Sequence, residues 1–65
     1  MTYTVATFKL RNNARLLALE LWANGISGRV LSQGMGAIWN VYVWPEDGPA
    51  AVAVFQRMTF EQASA

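Results

Sequence analysis

From Ala14 to Ala23 the chain reads ARLLALELWA, a run with no β-branched residue, no glycine and no proline. Ala, Leu and Glu lose little side-chain freedom in a helix, whereas the Val, Ile and Thr that crowd the rest of the sequence lose more. This run therefore has one natural conformation. Asn12 and Asn13 ahead of it offer side-chain oxygens to the free N–H groups of a first turn. Asn24-Gly25 behind it suits a left-handed C-terminal cap. The spacing predicts a helix over about 11–24, and every other element must be arranged around it.

At about 100° per residue, Ala14, Leu17, Ala18, Leu21 and Trp22 share one side and form the expected core stripe. Leu16, Leu19 and Ala23 fall opposite. Only Arg15, Glu20 and the asparagines interrupt them, so the helix is apolar nearly all round, a pattern of burial on both sides. In 65 residues, expected to form a single small domain over 1–65, one of those sides lacks an internal cover. Leu16, Leu19 and Ala23 are the expected dimer or partner face.

Size strengthens that expectation. A chain this short hides only about 60% of the surface that it exposes when unfolded, and small domains are commonly reinforced by disulfides, a metal or association. The sequence has no Cys and no His, which leaves association, and a homodimer is expected. It is 54% hydrophobic and 14% charged, where an average domain has about 25% charged residues. Its exterior should be unusually apolar. The net charge of +1 sets up no global field toward nucleic acid or an anionic membrane. No basic region followed by an apolar run opens the chain, and the uncharged stretch Val30 to Trp44 is too short and too often broken by polar residues and glycine to span a bilayer. A cytoplasmic location with no membrane contact is expected.

Around the helix, TYTVATFKL at 2–10 predicts a first strand, ISGRVLS at 26–32 a short second one and Ala37 to Trp44 a third, with QGMG as the connection between the last two. Strands two and three should pair antiparallel. The first β-α-β segment, if its strands share a sheet, should cross over right-handed. PEDG after Trp44 has turn chemistry, and AVAVF alternates, so a fourth strand completing a hairpin is expected. The fold class is then α+β in the order β-α-β-β-β, one long helix on a small mixed sheet. The rival reading starts a helix at Asp47 with Pro49 in its first turn and gives a β-α-β-β-α two-layer sandwich. Thr59 and Gln62 have capping-box spacing for a last helical turn.

In the rival order, NNARLLALELWANGI, a helix leading to Gly and an apolar residue, followed by VYVWPED, resembles small sheet-and-helix modules such as the SPOR peptidoglycan-binding domain and the cytoplasmic N-terminal domain of rhomboid proteases. That resemblance implies a glycan- or metabolite-binding sensory module and assigns no residue roles.

Catalytic chemistry is thinly supplied. Without His or Cys, the usual zinc sites and the Ser-His and Cys-His arrangements are absent. Glu46 and Asp47 lie together in a turn, without glycosidase or calcium-loop spacing, and are expected to be solvated. GMG at 34–36 has neither the lysine nor the further glycine of a phosphate loop and fits hairpin glycines better. No enzyme activity, cofactor or metal is expected.

Two groups remain. Lys9, Arg11 and Arg15 gather where the first strand meets the helix; cations there oppose the helix dipole, which an anion or a partner's carboxylates would relieve. In the third strand Trp39, Val41 and Val43 point one way, and Ile38, Asn40, Tyr42 and Trp44 the other. If the helix covers the Trp39 side, Asn40, Tyr42 and Trp44 stay open, and Tyr and Trp concentrate binding energy at interfaces. The expectation is a non-enzymatic module that binds a larger protein or nucleoprotein complex and inhibits it sterically. In build, by size and missing chemistry, the chain resembles the small inhibitors that phages direct at bacterial defence, anti-CRISPR proteins among them. A nucleic-acid-binding protein using Lys9, Arg11, Arg15 and Arg29 with the aromatics is the alternative.

Overall fold

The computed structural model describes residues 1–58. The elements are β1 (Tyr3–Phe8), α1 (Arg11–Ala23), β2 (Arg29–Gln33), β3 (Ile38–Val43), a 3-10 turn at Pro45–Asp47 and α2 (Gly48–Gln56). The protein is α+β: two helices on a three-stranded sheet of order β1-β3-β2. β3 runs antiparallel to both neighbours, so the sheet is wholly antiparallel rather than mixed. β1 and β2 share it without touching, in the manner of a split β-α-β unit.

α1 occupies the predicted span and ends as expected. Gly25 is left-handed at φ 76°, its N–H donates to Trp22 O at 3.0 Å, and Ile26 N–H donates to Leu21 O at 2.8 Å. That pair of bonds is a Schellman motif, and it drops Ile26 into the core. The start of the helix differs from expectation. Leu10, in extended backbone, is the N-cap residue, and no side chain caps it. Asn13 is instead buried within the helix. The chain leaves β1 through only Lys9 and Leu10, so the helix begins before either asparagine reaches the capping position.

The expected fourth strand is a helix. Proline in a first turn costs no hydrogen bond, and Pro49 sits there. Gly48, Ala51 and Val54, one turn apart, are buried, while Phe55 meets Phe8 edge-on with ring centroids 6.0 Å apart at 74°. α1 packs mainly over β3 with parts of β1 and β2, and α2 packs over β1. A fourth strand would have left the β1 flank of the core uncovered. The architecture with one helix on β-α-β-β-β is thereby corrected; Thr59 and Gln62 lie outside the described residues.

The core is Ala14, Leu17, Leu21, Ile26, Val41, Val43, Ala51 and Val54. Trp22 is not part of it. Expected in the core stripe, it is 62% exposed, with its indole Nε1 donating to Gly28 O at 2.8 Å. It lies on the flank of α1 that overhangs the start of β2, where the indole N–H finds a carbonyl and the ring stays outside.

Candidate functional site

The register assigns the faces. Val41, Val43 and half-buried Trp39 point to the helices, opposite Tyr3, Ala6 and Phe8 of β1 and Val30 and Ser32 of β2. The other face carries Ile38, Asn40 and Tyr42, opposite Thr4 and Thr7 on one side and Arg29, Leu31 and Gln33 on the other. Trp44, still extended, continues the alternation. Both helices lie on the first face, so among the described residues no element covers the second.

Across the middle of this open face runs a polar row. Thr7 Oγ1 donates to Asn40 Oδ1 at 2.7 Å, and Asn40 Nδ2 donates to Gln33 Oε1 at 2.9 Å. Each amide group of Asn40 has a partner, and its neighbours leave it only 7% exposed. No buried side-chain polar atom among the described residues lacks one. A partner settling over Asn40 meets an amide whose oxygen and nitrogen each have a bond in place, which lowers the usual cost of covering a polar surface.

Apolar ground flanks the row. Leu31 is 58% and Trp44 50% exposed, and Ile38 is exposed as well. Tyr42 and Arg29 are cross-strand neighbours, and with Trp44, Thr2 and Ser27 they line one shallow depression. A broader one, about 540 Å³, continues past Leu31. Aromatic surface beside a single guanidinium accommodates an apolar side chain next to a carboxylate.

The basic trio does not join this face. Arg11 opens α1, on the helix side, with its guanidinium 5.7 Å from the centroid of the Trp39 ring, a cation–π distance. Arg15 lines a groove with Ala18, Leu19, Trp22 and Val30. Lys9 is exposed in the link between β1 and α1. Arg29 is the only cation whose register position lies on the open face among the described residues. Leu16, Leu19 and Ala23 are exposed on the outer side of α1, as the helical spacing predicts.

Thr7, Leu31 and Gln33 belong to the open face and were not singled out from sequence. The signal was the hairpin. The tight turn Gly34–Ala37, closed by Ala37 N–H to Gly34 O at 3.1 Å, with Met35 and Gly36 at φ 56° and 90°, brings Leu31 opposite Asn40. GMG thus shapes a turn. Glu46 is exposed and Asp47 half-buried in the 3-10 turn, and among the described residues no three acidic side chains gather as metal ligands would. No described helix is long and apolar enough to cross a membrane. Comparison with family models, curated proteins and solved structures finds no match.

Proposed function

We propose that this protein is a non-enzymatic binding module that docks on a larger protein through the open face of its sheet, with Tyr42 and Trp44 as anchors and Arg29 directed at an acidic group of the partner. The observation that carries the reading is the face that no described element covers: exposed Leu31, Ile38 and Trp44 around a polar row joined by two hydrogen bonds. Occlusion is the mode of action such a surface supports, because it needs affinity and no turnover. An inhibitor of a nucleoprotein complex, the anti-CRISPR type included, is the version in which the covered partner is a defence assembly.

Nucleic acid is the weaker reading on the same surface. Binding that depends on phosphate neutralisation calls for several cations in reach of one strand, and three of the four named for that role, Lys9, Arg11 and Arg15, do not occupy positions on this face.

The test compares capture of host proteins by the wild type and by the Tyr42→Ala/Trp44→Ala variant, with circular dichroism verifying that both are folded. Interface aromatics of this kind contribute about 2 kcal/mol or more each, roughly 30-fold in Kd. The double variant should therefore lose the partner. Equal recovery of the same partner by both proteins would refute the docking face, and salt-sensitive binding of single-stranded RNA by the wild type would favour the alternative.

A further inference from the structure

The two edges of the sheet are unlike. β1 carries a bulge between Thr4 and Ala6, a device that protects an edge from pairing. β2 has no such bulge. Its five residues pair with β3 without irregularity, it contains no proline, and its one charge, Arg29, stands at its end. Beside it lies the groove of about 310 Å³ between α1 and Val30, with Ala18 at its floor and Arg15 and Trp22 one turn to either side.

We infer that two copies of this chain form a two-fold dimer in which β2 pairs antiparallel with β2 of the partner, while the Arg15–Trp22 flank of α1 closes over the seam. The occupant is argued from self-complementarity. An antiparallel register centred on Leu31 pairs all five residues of the strand. It sets Leu31 against its own copy and each Arg29 across from the other chain's Gln33, so no like charges are opposed.

The same axis serves the helices. α1 lies mainly over β3, with β1 and β2 to either side, and strands are about 4.8 Å apart, so two helices related by an axis just outside β2 run about 14 Å apart. Long side chains span that gap. Antiparallel helices keep like flanks together, and Arg15 and Trp22 share a flank two turns apart. Each guanidinium therefore meets the other chain's indole, twice by symmetry, a cation–π arrangement. The centre of the helix pair, Ala18–Leu19, borders Val30 in the groove, one residue from the centre of the strand pair. Two independent registers thus converge on one axis.

The helix face alone is too small for the job. Thirteen residues make a rod about 20 Å long, whereas a stable interface takes about 800 Å² from each partner. Strand pairing supplies the remainder and joins the two open faces into one six-stranded surface. The dimer does not depend on what that surface binds.

The chain has no cysteine, so Leu31→Cys reports on the axis directly. Oppositely paired positions lie within disulfide reach. Under mild oxidation this variant should give a linked species of twice 7.2 kDa, while Thr4→Cys, on the far strand, stays unlinked. Arg15→Glu should weaken association about tenfold in sedimentation, and Tyr42→Ala/Trp44→Ala should remain dimeric even if partner capture is lost. A wild-type particle of 7.2 kDa at roughly 100 μM, the range of weak interfaces, would overturn the dimer whatever the variants do. So would linking of Leu31→Cys no faster than Thr4→Cys.

Discussion

Gly28 is the position at which one methyl group should matter most. It is buried just ahead of β2, and a Cβ there would stand 2.8 Å from Leu21 Cδ1, 3.3 Å from Leu21 Cβ and 3.6 Å from Ala18 Cα. Carbon atoms pack at about 3.5–4.0 Å, so Cδ1 would have to retreat by roughly 1 Å, and Leu21 is fully buried. The segment itself is pinned, because Gly28 N–H donates to Ile26 O at 3.0 Å and Gly28 O accepts from Trp22 Nε1 at 2.8 Å. Inserting a methyl into a packed site costs about 1–3 kcal/mol. Gly28 is not among the left-handed glycines, so alanine also restricts the unfolded chain and returns about 0.4–1 kcal/mol. An approach of 2.8 Å puts the insertion in the upper half of that range, so the net loss for Gly28→Ala is about 1–2.6 kcal/mol, in a domain of this length holding roughly 3–10 kcal/mol in all. Urea unfolding followed by tryptophan fluorescence should show a lower midpoint at unchanged slope. Leu21→Ala, which removes Cδ1 and leaves only Cβ at 3.3 Å, should couple to Gly28→Ala by about 1 kcal/mol or more in a double-mutant cycle. A Gly28→Ala protein as stable as the wild type, or purely additive changes in the cycle, would refute the close-approach argument.

Gly25→Ala tests the opposite case: nothing crowds a Cβ there within 4 Å, yet φ is 76°, so backbone strain alone should cost about 1 kcal/mol of stability, and Gly25→Asn should recover part of it in the same urea assay. Leu17→Ala empties a fully buried position and should cost about 2–5 kcal/mol, enough to leave much of the protein unfolded at 37 °C by circular dichroism.

What the sequence made legible follows from how local each signal is. α1 and its Schellman end were readable because helix-forming residues and an Asn-Gly stop act over neighbouring positions. α2 was not, because AVAVF satisfies a period of two and a helical repeat alike. The choice fell to a nonlocal need: Phe8 and the rest of the β1 flank required a cover, and Phe55 supplies part of it from α2. Trp22 failed for a related reason. A helical wheel ranks it by angle alone, but a flank position beside β2 offers a carbonyl to the indole N–H and leaves the ring half outside. Asn40, Tyr42 and Trp44 were separated from Trp39 by strand alternation, while Thr7, Leu31 and Gln33 required the register.

The open face has the same origin as the second helix. A three-stranded sheet about 14 Å wide needs two helices, each about 10 Å across, to cover one side, and α1 and α2 both lie there. The interior takes Val41 and Val43 from β3, and alternation then obliges the intervening residues to face away. Had those residues been Thr, Lys or Glu, the outer face would be an ordinary solvated surface. They are Ile38, Tyr42 and Trp44, with Leu31 alongside and the central Asn40 already bonded to both neighbouring strands. A fold that needed only water on that side had no use for four large apolar side chains around a hydrogen-bonded polar row, so the proposed docking rests on the composition of this one face more than on the fold.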